Sequence, residues 1–308
     1  MPDPHTLVIG TRGSPLALAQ ARETAGCLAE ALGWDPAQVP LQVIRTTGDA
    51  IQDRPLSEAG GKGLFTKELD IALLEGRIDL AVHSAKDLPT LLPDGLSIAG
   101  YLPREDARDA LISRLADTVS GLPHGATFGS ASLRREALMR RLRPDLRVVL
   151  LRGNVGTRLD RVERGEIGVT LLAMAGLRRL GLAHRATAAL DPEVFLPAVG
   201  QGAIALTARA GDLRTLDALA RITDAATGTA LLAERAFLTA LDGSCRTPIA
   251  GHAVAADGGV RFRGLVLRPD GSDALGSGGH GPAADAEAIG REAGRAVLSR
   301  LPAGFFQP

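Results

Sequence analysis

Short apolar runs alternate with amphipathic stretches over the first two thirds of the chain. Residues 6–10 (TLVIG) read as a β-strand. Ser14 and Pro15 then open a helix over LALAQARETAGCLAEAL, with Ser at the cap and Pro in the first turn. LQVIRTT reads as a second strand, and the polar, Gly-rich residues 48–61 as a mobile loop. LFTKELDIALLEG follows as a helix, then DLAVHS and LSIAGYL as strands. A second unit starting near residue 104 repeats the scheme: ATFGS strand, SLRREALMRRL helix, RVVLL strand, GTRLDRVERG helix, a strand-like VTLLAMAG and a helix over LRRLGL. PAVGQGAIALTARAG, around 197–210, reads as a strand returning to the first unit. Strands and helices in this order predict α/β layers. Two crossings between two lobes predict a cleft between them. From about residue 222 the style changes to a helix (ATGTALLAERAFLTAL), short strands separated by the turn signals DGG and PDGS, and a closing helix, ADAEAIGREAGRAVLSRL. The expected division is residues 1–102 with 200–220, then 103–199, then a small α+β unit over 221–308.

Composition narrows the function classes. At ~100–150 residues per domain, 308 residues suggest two or three domains. Apolar content of 45% with 23% charged residues is the profile of a soluble globular protein with a sizeable core. The formal net charge is zero and aromatics are 3%, which argues against nucleic-acid or membrane attraction and against a base-stacking platform. The opening residues lack a basic region followed by a long apolar stretch, and two cysteines make no disulfide scaffold, so a cytoplasmic protein is expected. Several motifs fail. GGKG at 60–63 is not a phosphate loop, because Leu56 stands where its first glycine belongs and Gly63 follows the lysine. GQGAIA at 200–205 leads into a strand-like run, not the helix a dinucleotide fingerprint needs. The six histidines lack metal-ligand spacing, so no metal is expected.

Cations are distributed unevenly. Only three of the 35 basic residues are lysines, Lys62, Lys67 and Lys86, all between residues 62 and 86. Arg and Lys are not interchangeable where a compact or tunable charge is needed, so this window reads as part of a site. Lys67 reads as a surface charge on its helix, and His83 as a hydrogen-bonding structural group. Arginines with small residues recur at strand-to-helix junctions: Arg12 and Ser14; Ser130, Ser132, Arg134 and Arg135; Arg152 and Arg158. Helix starts favour anions and the guanidinium fork matches carboxylate or phosphate, so these junctions predict a ligand with several anionic groups. Asp87, after Lys86 at the C-terminal end of a strand, is placed to accept N–H bonds, stabilise a developing cation or shuttle protons. Cys245 sits in a loop beside Arg246, where a neighbouring cation favours the thiolate. Cys27 lies at an apolar helical position and reads as core.

TRGSPLALAQA, GGKGLFTKELD, DLAVHSAKDLPT, REDARDAL, SLRRE, RGNVGTRL, LAMAGLRRLG, LPAVGQGAIA and GSCRTPIAG, in this order, resemble the porphobilinogen deaminase (hydroxymethylbilane synthase) family from about Ile9 to Pro248. The resemblance implies two lobes like type II periplasmic binding proteins and a third domain carrying a dipyrromethane cofactor as a thioether on Cys245. It implies stepwise addition of four porphobilinogen units with loss of ammonia, then hydrolytic release of a linear tetrapyrrole. It further implies Asp87 and Lys86 at the reaction centre. Lys62, Ser84, Lys86, Ser130, Ser132, Arg134, Arg135, Arg152 and Arg158 would contact cofactor carboxylates. Arg12, Ser14, Arg179 and Phe65 would contact incoming substrate, with Gln201 near the interlobe crossover. A monomer with porphobilinogen as its one small-molecule partner is expected. The chain departs from the family pattern at Glu58 (commonly Lys), at Ala131, which supplies no hydroxyl, at Gly168 (commonly Asp) and at Ser244 (commonly Gly). The competing reading is a non-catalytic, two-lobed polycarboxylate-binding or sensor protein, which would not need Lys86, Asp87 or Cys245.

Overall fold

The computed structural model describes residues 5–50, 63–241 and 247–306. In chain order its elements are β1 (Ile9–Thr11), α1 (Pro15–Leu32), β2 (Leu41–Val43), a helical turn α2 (Thr47–Ala50), α3 (Lys67–Leu74), β3 (Leu80–Ser84) and β4 (Leu96–Tyr101). Then come β5 (Asp109–Ser113), β6 (Thr127–Ser130), α4 (Leu133–Leu142), β7 (Arg147–Leu150), α5 (Val155–Glu163), β8 (Val169–Ala173), α6 (Met174–Arg179) and β9 (Ala188–Ala189). The chain continues with β10 (Ile204–Arg209), α7 (Leu213–Ala220), α8 (Ala225–Ala240), β11 (Ile249–Ala256), β12 (Gly259–Leu267), β13 (Ala274–Pro282) and α9 (Ala286–Leu298).

Two five-stranded sheets form the two lobes, in orders β2-β1-β3-β10-β4 and β7-β6-β8-β5-β9. In the first, β1 runs parallel to β2 and β3, while β10 runs antiparallel to β3 and β4. In the second, β6 is parallel to β7 and β8, and β5 is antiparallel to β8 and β9. The chain leaves the first sheet after β4 to start the second with β5, and returns after β9 to complete the first with β10. The two-lobed α/β expectation with two crossings is therefore borne out. Strands covered on both faces need continuous apolar runs; β1, β3 and β10 are buried along nearly their whole length. Leu28, Leu80, Val82 and Leu206 form the core on one face of the first sheet, and Leu69, Leu73 and Ile78 on the other. In the second lobe Phe128, Leu138 and Phe195 occupy one face, and Leu159, Val162 and Leu177 the other.

The third unit is an antiparallel sheet, β11-β12-β13, packed beneath α8 and α9. The ring of Phe237 in α8 packs against that of Phe262 in β12, with centroids 5.0 Å apart and planes tilted by 54°. Gly290 lets α9 approach α8 closely: a Cβ there would lie 1.9 Å from the Ala233 carbonyl oxygen.

The structure corrects several local expectations. The second strand ends at Val43, not at Thr47. Residues 48–50, the start of the expected loop, belong with Thr47 to a helical turn, and residues 51–61 lie outside the described residues. The helix expected from Leu64 begins at Lys67. The strand expected over VTLLAMAG stops at Ala173, and Met174–Arg179 is already helical; Met174 through Leu177 are all buried, and an unbroken apolar run has no periodicity to separate strand from helix. Helix α7 has no counterpart in the sequence reading, although Asp212 caps it by accepting from Thr215 N at 3.1 Å.

Candidate active site

The candidate residues gather where strands of both sheets end and helices begin, the position at which open α/β sheets bind ligands. From the first lobe, β1 leads to Arg12 and Ser14, and β3 to Ser84, Lys86 and Asp87. From the second, β6 leads to Ser130, Ser132, Arg134 and Arg135, β7 and α5 to Arg152 and Arg158, and α6 to Arg179.

Asp87 closes a single 3-10 turn, Ala85–Asp87, after β3. Its carboxylate lies 3.9 Å from Arg12, whose guanidinium sits 4.1 Å from the centre of the Phe65 ring. Lys86 donates to Gln201 Oε1 at 3.4 Å. Gly200, at positive φ, brings the returning crossing against this turn: a Cβ on it would stand 2.9 Å from the Lys86 backbone nitrogen. Burial first, and then the charge of Arg135, draws the Lys86 amine down to about 8, with Asp87 and Asp109 opposing. Ser84 and Gln20 exchange hydrogen bonds at 3.0 and 3.1 Å. His83 is buried and bonded to Thr207 at 3.0 Å, as expected of a structural group; burial and then Arg12 lower it to about 4, so it stays neutral. Lys67 is exposed, and Cys27 is partly buried against the first lobe's core.

The second lobe's cations are organised by Asp109, a carboxylate with no exposed surface that the sequence reading did not single out. Its oxygens accept from Arg134 Nη2 at 2.8 Å and Arg135 Nε at 2.8 Å. Arg134 also donates to Leu196 O at 2.8 Å, and Arg135 to Leu171 O at 3.0 Å. The Arg134 Nε is buried without a hydrogen-bond partner among the described residues. Ser130 Oγ accepts from Ser132 N at 2.9 Å, Ser132 Oγ caps α4, and Ser14 caps α1 by accepting from Ala17 N at 3.3 Å. Arg158 donates to Gly153 O at 2.9 Å. It is drawn down to about 10, by burial and then by Arg135 and Arg152, with Asp87 opposing. A cavity of about 350 Å³ opens beside Arg152, lined also by Asn154, Thr157 and Arg161.

Lys86 and Arg158 are thus both depressed by burial among other cations. The depressed pair and the orphaned Arg134 Nε fit a ligand bearing several carboxylates. Arg179 stands apart: its Nε donates to Glu23 at 2.9 Å and its Nη1 to Gly202 O at 3.0 Å. Lys62, Cys245 and Glu58 lie outside the described residues. No cluster of His, Cys, Asp and Glu able to hold a metal occurs among the described residues, and no helix there is long and apolar enough to cross a membrane.

Beyond Asp109, the sequence reading missed Glu234 and Arg104. Glu234 of α8 has no exposed surface and accepts from Arg104, from Gly200 N at 2.6 Å and from Ala253 N at 2.8 Å. It joins the third unit to the crossing that carries Gln201. A lone acid within an apolar helical pattern was the one available signal.

These features define a two-lobed α/β protein whose cleft is cationic, with one carboxylate at the end of a strand and a third unit locked to the crossing. The family model "Porphobilinogen deaminase, dipyromethane cofactor binding domain" matches residues 7–217, and "Porphobilinogen deaminase, C-terminal domain" matches residues 229–299. The chain belongs to the porphobilinogen deaminase family. It is 54% identical over 298 residues to the porphobilinogen deaminase of Nitrobacter hamburgensis, covering 97% of this chain and 94% of that one, and equally identical, with the same coverage, to that of Nitrobacter winogradskyi. Similar solved structures include a periplasmic substrate-binding protein of an ABC transporter from Coxiella burnetii (14% identity, 70% of this chain and 92% of that chain, TM-score 0.45). Another is the periplasmic VFT2 domain of Bordetella pertussis BvgS (18% identity, 71% of this chain and 86% of that chain, TM-score 0.42).

Proposed function

We propose that this chain is a hydroxymethylbilane synthase, which joins four porphobilinogen molecules head to tail. Each addition forms one carbon–carbon bond and releases one ammonia; one water then releases the linear tetrapyrrole. The observation that carries this reading is the placing of the Asp87 carboxylate, 3.9 Å from Arg12 of its own lobe, beside the charges of Lys86 and of Arg158 from the second lobe. A polycarboxylate binder needs the arginines but not the carboxylate among them. Relatives at 54% identity bear the same enzyme name.

Dipyrromethane, joined to Cys245, supplies when bound the pyrrole carbon at which the chain grows. Lys62, Ser84, Lys86, Ser130, Ser132, Arg134, Arg135, Arg152 and Arg158 would hold its carboxylates. Lys86 is an ammonium at neutral pH, since its proton is lost only near 8. Arg12, Ser14, Arg179 and Phe65 would receive the incoming porphobilinogen. Asp87 would accept substrate pyrrole N–H bonds, stabilise the cation left when ammonia departs, and help take up the ring proton. Within this reading, residues 1–102 with 200–220, 103–199 and 221–308 are the three domains, and the enzyme works as a cytoplasmic monomer on this small molecule alone.

Intact mass and turnover test the proposal together. The purified chain should carry the excess mass of two linked pyrrole units, and Cys245→Ser should abolish it. Asp87→Asn should keep that excess mass and lose nearly all ammonia release. A chain of unmodified mass after incubation with porphobilinogen, releasing no ammonia, would instead support the polycarboxylate-binding reading.

A further inference from the structure

The last turn of α6 carries two arginines in succession, and each binds a different crossing between the lobes. Arg178 pairs with Glu105 at 2.8 Å and Asp106 at 3.1 Å, in the first crossing. Arg179 donates to the Gly202 carbonyl at 3.0 Å, in the second, and to Glu23 on α1 of the opposite lobe at 2.9 Å. The Arg179 side chain is only 7% exposed, against 38% for Glu23. The two helices are in close approach here, since a Cβ on Gly176 of α6 would meet Leu16 of α1 at 3.4 Å. A guanidinium is a rigid, planar fork of five N–H donors. A carboxylate on its Nε edge and a carbonyl on one Nη fix that plane and leave the rest of the fork to bind something else.

We propose that Glu23 is a positioning residue for the porphobilinogen reaction, holding Arg179 across the lobe interface in the orientation that receives a substrate carboxylate. The proposal rests on the reading above that Arg179 contacts incoming substrate. Its physical basis is preorganisation. A long, flexible side chain fixed before substrate arrives loses less entropy on binding. Because a side-chain carboxylate of porphobilinogen takes no part in bond formation, Glu23 acts on ground state and transition state alike, and its loss appears in KM.

The test uses cofactor-loaded enzyme, with loading checked by intact mass. Glu23 is partly exposed on a helix face, where alanine is the best-tolerated replacement. Glu23→Ala should raise KM for porphobilinogen about two- to five-fold with kcat nearly unchanged, the scale of one partly exposed ion pair. Glu23→Gln, whose amide oxygen can still accept from Arg179, should recover part of the loss. Arg179→Gln should raise KM by itself, and adding Glu23→Ala to it should change nothing further. Wild-type KM in Glu23→Ala, or an equal rise with and without Arg179, would overturn the proposal. Wild-type KM in Arg179→Gln would remove Arg179 from substrate binding and Glu23 with it, even in a chain that turns over normally. A wild-type chain that releases no ammonia would instead fail the functional reading itself and end the proposal with it.

Discussion

Replacing Asp109 by asparagine isolates the charge on which the second lobe's site is built. Asp109 has no exposed surface, and its partners Arg134 and Arg135 retain 5% and 8% side-chain exposure at 2.8 and 2.7 Å. Burial alone would raise its carboxyl pKa. The charges of Arg134 and Arg135 outweigh burial and hold it below the ordinary 3.8. Asparagine keeps the shape but removes the charge and turns an amide donor toward guanidinium donors. Two buried cations would then lose their shared counter-charge, retaining only their bonds to the Leu196 and Leu171 carbonyls. Removing one member of a buried ion pair costs about 3–5 kcal/mol. With the carbonyl bonds kept, the lower half of that range is expected, which in a chain of this size lowers Tm by about 5–6 °C. Thermal melts followed by circular dichroism would measure it. The pH dependence carries its own sign. Because the folded pKa is depressed, the stabilisation is fully present above the unfolded value of 3.8 and is lost as pH falls through the folded one. The gap between wild type and Asp109→Asn should therefore narrow below about pH 4. A fall in Tm under about 2 °C at pH 7, or a gap that stays constant down to pH 2, would refute the reasoning.

Three further outcomes follow from the same cluster and its neighbour. In cofactor-free chain, NMR of ¹³C-labelled lysine should show Lys86 titrating near 8; with only three lysines in the chain, Lys86→Arg assigns the signal by difference, and a midpoint near 10.5 would contradict the site's burial among cations. Binding of a dicarboxylate should weaken as pH rises through that midpoint in wild type but not in Lys86→Arg, since arginine keeps its charge. Glu234→Gln leaves too few acceptor positions for Arg104, Gly200 N and Ala253 N; it should destabilise the chain by about 2–4 kcal/mol in urea unfolding, and an effect below about 0.5 kcal/mol would show that the buried carboxylate is dispensable.

What could be read from sequence was local. Ser14, Ser132 and Asn154 each cap the helix that follows them, and a cap depends on a few neighbouring residues. Strands buried on both faces announced themselves as unbroken apolar runs, and the same property concealed the strand-to-helix change at Met174. Lys86 and Asp87 were legible because they are adjacent, and a single turn after β3 carries both.

By itself, then, the sequence determined most of the strands and helices (not α7, nor the strand-to-helix change at Met174), the two crossings, the cationic helix starts and the Lys86–Asp87 pair, all set largely by residues close together in the chain. The tertiary structure decided which cation meets which anion. Arg135 finds Asp109 from 26 positions away, Arg179 finds Glu23 from 156, and Arg104 finds Glu234 from 130. No local rule assigns such partners. They are selected when packing of the lobes and the third unit brings distant backbone segments together and leaves a buried charge no water to turn to.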